Sequence, residues 1–318
     1  MIDFTRFDSL VSLATYFSST KRCKDALVQS RWSDGDVVCP YCGRHHCYSC
    51  KDGRYKCPGC HSSFSVLVGT IFENTKISLI KWFMTMYLIS SHKKGISSCQ
   101  LARDIKVTQK TAWFILHKLR TLYSQDDSVA LEGEVECDEM YLGGREKNKH
   151  QNKKTQGTQG GAKTKNAIFG MAERSGDVKS FAVPDTKSET LKAYIKQFCA
   201  DNVVLFTDES SVYNGLDDEY IHKHINHSKN EYSTNGVTTN TIEGFWAHFK
   251  RMVFGTYHFV SKGYLQPYID ESVYRWNTRK TSETTRFQDM FNKSIGVCSY
   301  KTIKGLKVIY RETNQVSF

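Results

Sequence analysis

Two kinds of side chain stand at spacings that could do chemistry: paired cysteines near the N-terminus and isolated carboxylates in the second half of the chain. Cys39-Pro-Tyr-Cys42 and Cys57-Pro-Gly-Cys60 are two CxxC turns separated by a hairpin-sized segment. Four thiolates brought together by such turns suit one tetrahedral Zn²⁺, and four protein ligands leave no position open, so the metal is structural. A third CxxC, Cys47-Tyr-Ser-Cys50, lies between them and could replace one knuckle or form a partial second site. The outer pairs are preferred because they carry the small residues of a knuckle. Cys99, Cys137, Cys199 and Cys298 are scattered and read as buried thiols.

The carboxylates are read from strand and helix periodicity. In EVECDEMYL, alternation places Val135 and Cys137 on one face and Glu136, Asp138 and Met140 on the other. Asp208 ends the apolar run Val203, Val204, Leu205, Phe206, so a buried strand delivers it to a sheet end, where α/β sites lie. Glu243 stands near the start of a helix whose Ile242, Phe245, Trp246 and Phe249 would pack on that sheet. Three carboxylates on two strands and a helix are a donor set for two-metal phosphoryl transfer, in which hard oxygen ligands hold Mg²⁺ ions about 3.5–4 Å apart. Each also has a plainer reading: Asp138 and Asp208 as strand-end solvating groups, Glu243 as a helix cap with Asn240. Strand parity turns Glu139 and Glu209 away from their neighbours' face.

The elements that must position these groups follow from the same patterns. Phe7, Leu10, Val11, Leu13 and Ala14 predict a first helix and Cys23 to Val28 a second. The segment Cys39 to Phe64 is too poor in apolar residues to fold without a staple. Ile77, Ile80, Phe83, Met84, Tyr87 and Leu88 mark one face of a helix. Ser97 with Gln100 opens a short helix, and Thr108 caps another whose Ala112, Ile115, Leu116 and Leu119 face inward, a helix-turn-helix pattern. Gln109, Lys110, Trp113, His117, Lys118 and Arg120 fall outside or beside that stripe and could serve bases and phosphates. An ordinary helical hairpin with solvated charges gives the same pattern. Strands EVECDEMYL, NAIFGMAER, VKSFAVP and NVVLFTDE, with a helix at Glu189 to Cys199, predict an α/β domain. A Lys-, Gln- and Gly-rich basic loop that includes Lys153 and Lys154 interrupts them.

Composition bounds the partners. The 318 residues suffice for two or three domains, and 39% hydrophobic with 13% aromatic residues is ordinary for a folded protein. A net charge of +11, from 44 Lys and Arg against 33 Asp and Glu, favours a polyanionic partner. Asp3 and Asp8 stand where a secretion signal needs basic residues, and the longest apolar stretch is broken by Lys81, so a cytoplasmic location is expected.

These motifs, taken in order, give a resemblance. RWSDGDVVCPYCG, FSVLVGTIFENTKI, QKTAWFILHKLR, VECDEMYLGG, FTDESSVY, INHSKNEY and TNTIEGFWAHFKRMVFGTYHFVS make the chain similar, over roughly residues 6 to 280, to bacterial insertion-sequence transposases with an N-terminal zinc ribbon and a DDE catalytic domain of RNase H-like fold. The resemblance implies an α+β and α/β multidomain chain: N-terminal helices (1–36), zinc ribbon (37–68), helix-turn-helix DNA-binding region (69–124), RNase H-like mixed sheet with flanking helices (129–280) and an accessory C-terminal tail (281–318). It makes Asp138, Asp208 and Glu243 the catalytic triad holding two Mg²⁺ (or Mn²⁺), with Asp138 bridging both. It implies cleavage at element ends and transfer of a 3′-OH into target DNA. Double-stranded DNA, as terminal inverted repeats and target, is the implied partner, and paired end processing implies a homodimer or larger synaptic complex. Cys137 departs from the aliphatic residue more usual before the first Asp.

Lys250, Arg251, Lys262, Arg275, Arg279 and Lys280 interleave with Tyr257, Tyr264, Tyr274 and Trp276. Cations on phosphates and aromatics on exposed bases would suit distorted DNA ends, and a helix packing its aromatics inward explains much of the same pattern. Two other functions stay open on the residues alone: a catalytically silent DNA-binding regulator derived from a transposase, and an RNase H-like structure-selective nuclease.

Overall fold

Hydroxyl side chains open most of the helices in the first part of the chain. Ser9, Ser19, Ser97, Thr108 and Ser282 each accept a hydrogen bond from a backbone N–H three residues on, satisfying one of the N–H groups a helix start leaves without a partner. The helices they start are α1 (Leu10–Tyr16), α2 (Thr20–Arg31), α4 (Ser98–Asp104), α5 (Gln109–Arg120) and, late in the chain, α9 (Glu283–Lys293); α3 spans Leu79–Ser91. The structure, a computed structural model, describes residues 2–144, 165–174, 176–217, 219–225 and 239–295. They fall into two units: 2–122 with 280–295, and 123–279.

In the first unit the N-terminal helices, α3 and α9 share an aromatic core. Phe83 meets Phe17 and Phe291 at centroid distances of 4.7 and 5.3 Å, and Phe4 meets Phe287 and Phe291 at 5.8 and 5.3 Å. The Arg286 guanidinium donates to the Ser90 carbonyl at the end of α3. Residues 281–295, expected only within an accessory tail, therefore belong by packing to the unit that begins the chain, together with Lys280. Between α4 and α5, Lys106 has φ +51° and turns the chain between the two caps.

The ribbon has three two-residue strands, β1 (Tyr48–Ser49), β2 (Tyr55–Lys56) and β3 (Ser63–Phe64), paired antiparallel in that order. Its apolar content is a small stack: Tyr55 lies opposite Phe64 in the β2–β3 register, and Trp32 packs on Tyr55 with ring centroids 5.1 Å apart. So little buried surface needs the cysteine staple.

The second unit is built on a five-stranded mixed sheet ordered β6-β5-β4-β7-β8, with β4 (Glu134–Leu142), β5 (Asn166–Glu173), β6 (Val178–Val183), β7 (Val204–Asp208) and β8 (Ile221–Ile225). β4, β5 and β6 form an antiparallel meander; β7 pairs parallel with β4, and β8 parallel with β7. Helices flank it: α6 (Ser188–Phe198), α7 (Asn240–Met252) and α8 (Leu265–Asn277). Strand alternation sorts the core into two layers. Met140, Leu142, Ile168 and Ala172 meet Ile242, Phe245, Trp246 and Phe249 of α7, while Val135, Cys137, Phe169, Met171 and Leu205 meet Leu191, Ile195 and Phe198 of α6. This is the mixed sheet with flanking helices that the resemblance implies.

The edge strand β6 is sealed by side-chain amides. Asn277 accepts from the N–H of Val178 and donates to its carbonyl; Gln125 does the same at Ser180; Gln266 accepts from the N–H of Ala182. Gln266 and Asn277 are eleven residues apart on α8, about 16 Å along a helix. Their partners are four residues apart on β6, about 13 Å, close enough for two side chains to clamp the helix along the strand. Among the described residues no helix is long and apolar enough to cross a membrane.

Candidate active site

Register and parity bring the acidic residues together. β4 pairs with β7 through Glu136 opposite Phe206, and two more residues along that parallel register stand Asp138 and Asp208. Leu205 faces the α6 layer, so alternation turns Phe206 and Asp208 to the α7 side, the side of Glu136, Asp138 and Met140. Helix α7 crosses there with Glu243 in its first turn. Asp138 and Asp208 are half-buried and Glu243 is exposed. Each carboxylate is oriented: the Trp246 indole donates to Asp138 at 2.9 Å, the Ser210 N–H to Asp208 at 3.0 Å, and the Thr239 hydroxyl to Glu243 at 3.3 Å.

Burial, then the neighbouring charges of Asp208 and Glu243, push Asp138 up to about 6 against the pull of the Trp246 hydrogen bond. That mutual repulsion is what a divalent cation relieves, so the donor set fits hard metal ions. The three are not gathered into a tight cage. Among the described residues, only the four ribbon cysteines form a group of three or more ligand atoms all within 4.8 Å of one another. Carboxylates serving two ions about 3.5–4 Å apart need not converge on one point.

Three supporting residues carry no obvious signal in the sequence. Glu136 is fully buried and accepts from the N–H groups of Thr241 and Ile242, at 2.8 and 3.0 Å, and from Arg174 at 3.1 Å. A carboxylate at the positive end of α7 fixes that helix on β4 two residues from Asp138. Arg174 in turn lies 3.7 Å above the Phe206 ring. Gly170 is the cross-strand partner of Asp138, and a Cβ there would meet the Trp246 ring at 2.6 Å. The absent side chain is the room the indole uses to reach Asp138. Glu139, set aside by parity, faces the other layer, where Tyr213 donates to it at 2.6 Å; burial first, then Asp138 and Asp208, raise it to about 7. The bond ties the turn after Asp208 to β4. Glu209 is exposed.

In the ribbon the outer pairs come together. Cys39 and Cys60, and Cys42 and Cys57, stand 3.6 Å apart, near the edge of about 3.8 Å of a tetrahedron with Zn–S bonds of about 2.3 Å. Although desolvation opposes it, N–H donors from Cys60 and Gly59 bring the Cys57 thiol down to about 6, while, against the Arg44 N–H, the bond to Cys57 pushes its partner Cys42 up to about 12. The four-cysteine cluster is consistent with a structural zinc. Cys47 and Cys50 stay outside this group; the Cys47 thiol turns to the Arg44 carbonyl.

The residues expected on DNA divide. Gln109, Lys110, Lys250, Arg251 and Arg279 are exposed and Trp113 half-buried. His117, Lys118 and Arg120 are buried, and Lys118 is committed to the Ile71 carbonyl at 2.7 Å. Arg275 is buried with Glu271 in an i,i+4 ion pair at 2.7 Å. These four are corrected from surface contacts to interior groups. A single stripe on one helix does not show what covers its flanks. Lys153 and Lys154 lie outside the described residues. Of the four aromatics, Tyr257, Tyr264 and Trp276 pack against the α7-side core and Tyr274 lies 4.5 Å from Tyr123.

Comparison with known proteins matches this architecture. Residues 130–277 match the model of the ISXO2-like transposase domain and residues 18–63 that of the transposase zinc-ribbon domain. The chain is 31% identical over 272 residues, 80% of its length and 89% of the relative's, to an uncharacterized protein in transposable element ISH50 of Halobacterium salinarum. It is 31% identical over 101 residues, 31% of its length and 80% of the relative's, to an uncharacterized transposase-like protein of Haemophilus influenzae. The likeness to bacterial transposases thus extends to an archaeal element. With its cysteine cluster in one matched segment and the acidic residues of β4, β7 and α7 in the other, the chain belongs to the family of ISXO2-like transposases with an N-terminal zinc ribbon.

Proposed function

We propose that the protein cuts DNA at the ends of its own element and joins the freed 3′-OH to target DNA, with Asp138, Asp208 and Glu243 as the metal-holding catalytic residues. The observation that carries this is the arrival of the three carboxylates on one face of the sheet beneath α7, each held by a hydrogen bond from its own neighbourhood. Mg²⁺ or Mn²⁺ held there would supply the positive charge that activates an attacking oxygen and stabilises a leaving one in an in-line displacement at phosphorus. The chain's own contribution is placement. Trp246 orients Asp138, Glu136 sets the height of α7 and hence of Glu243, and the Tyr213–Glu139 bond steadies the turn after Asp208. Gln109 and Lys110 on α5 and Lys250, Arg251 and Arg279 on the second unit are the exposed groups offered to double-stranded DNA. Two ends processed together call for a homodimer or larger assembly acting inside the cell.

The test uses duplexes of the terminal repeats that bound the element. Asp138→Ala, Asp208→Ala and Glu243→Ala each lose cleavage and strand transfer, while end binding in a gel-shift assay survives. Full joining by any one of them removes that residue from the proposed triad.

A further inference from the structure

Beyond α7 the backbone departs from regular geometry. Val253–Tyr257 forms one π-helical turn, a rarity that recurs at functional sites. His258 follows with φ +61° and ψ −44°, and the Phe259 N–H bonds back to the Tyr257 carbonyl at 2.7 Å. This is a γ-turn in the positive-φ half of conformational space, strained for a residue with a Cβ. The excursion is pinned at both ends by Val253 and Val260, buried in the α7-side core, and in the middle by the Tyr257 hydroxyl, which donates to Glu271. Between these pins the rings of Phe254 and Phe259 are 56% and 75% exposed. Lys250, Arg251 and Lys262 around them are exposed as well.

We propose that Phe254 and Phe259 stack on bases unpaired from the duplex near the cleavage point, with Lys250, Arg251 and Lys262 on the adjoining phosphates. Exposed aromatic faces among cations, on a backbone pinned at Val253, Tyr257 and Val260, match single-stranded nucleic acid, where every base offers a π-face and every link a negative charge. A second copy of the chain fits less well, because a two-fold contact would set the same cations against each other. The inference rests on the DNA-cleaving reading, which also gives it a position. Phe254 follows Glu243 by eleven residues, about 16 Å along a helix, or about five nucleotides at 3.4 Å each along a strand.

The experiment places 2-aminopurine at successive positions beside the cut in terminal-repeat duplexes and reads its fluorescence on binding, without divalent metal. Wild-type protein raises the signal about four to six nucleotides from the cut, where unstacking is expected from the strand spacing. Phe254→Ala and Phe259→Ala lose that rise, still bind ends, and with Mg²⁺ cleave intact duplex roughly tenfold to hundredfold more slowly, the loss of a stacked base. A duplex mismatched at the same position restores their cleavage, and Phe259→Trp behaves as wild type. Wild-type signal and rate in both alanine variants overturn the proposal. So does a rate loss that the mismatch leaves in place, or a loss of self-association in sedimentation with the fluorescence unchanged. If the wild type raises the signal but cuts nothing with Mg²⁺, the catalytic reading falls and the stacking stands. If it cuts without any rise, the stacking alone falls.

Discussion

Gly170 shows how much one missing methyl group can govern. It faces Asp138 across two strands, and its bare backbone admits the indole that orients that carboxylate. Gly170→Ala is expected to push the ring aside, costing about 1–3 kcal/mol of stability through overpacking. It also removes a hydrogen bond to a charged group, for a loss of roughly tenfold or more in cleavage. Adding Trp246→Phe makes room and recovers melting temperature without recovering rate. Recovery of both would show that packing, not orientation, is the residue's contribution. Alternation along EVECDEMYL is enough to place Glu136 and Asp138 on one face, and the strand stands as read. The value of Gly170 is not legible there, because its neighbour Trp246 lies 76 positions along the chain.

At the scale of elements, a buried carboxylate adds to the Trp246–Asp138 bond and the apolar layer that join α7 to β4. Glu136 meets two N–H groups of α7 and the Arg174 guanidinium. Removing one partner of a buried charged pair costs about 3–5 kcal/mol, so Glu136→Leu lowers the melting temperature and loses cleavage. Glu136→Gln keeps an acceptor in place and retains part of both. Because α7 carries Glu243, the Mg²⁺ concentration that half-saturates cleavage rises in the Gln variant; a simple stability effect leaves it unchanged. Periodicity found the inward face of α7, Ile242, Phe245, Trp246 and Phe249, since a helix on a sheet obeys its own repeat. It failed on α5, where Lys118 reads as solvated until Ile71, 47 residues earlier, is seen accepting its ammonium proton. For the aromatics after α7 it left stacking on bases and inward packing both open. Tyr257, Tyr264 and Trp276 pack inward, whereas the irregular turn leaves Phe254 and Phe259 outside. Irregular backbone has no period to read.

For the whole molecule, the ribbon and the sheet unit differ in what stabilises them. The ribbon was legible because thiol spacing is itself the structural rule. Its strands are two residues long, whereas the sheet unit has apolar layers on both faces. Stripping zinc with a chelator, or Cys39→Ser with Cys57→Ser, is expected to expose the segment around residues 37–68 to protease and to weaken end binding. The melting of the sheet unit, followed by calorimetry, stays in place. Metal analysis should find one zinc per chain. Zinc-free protein whose ribbon resists protease as before would show that the cysteines do not hold that fold.

The amides along β6 have a consequence for how this protein is handled. An open strand edge invites edge-to-edge association and aggregation, and here the uncharged amides of Gln125, Gln266 and Asn277 occupy it, the first two also donating to the Asp270 carboxylate. The attraction of a +11 chain for DNA weakens steeply with salt, but neutral amide-to-backbone bonds are not screened in that way. Concentrated salt can therefore strip nucleic acid from the protein during purification without unsealing the β6 edge of its sheet.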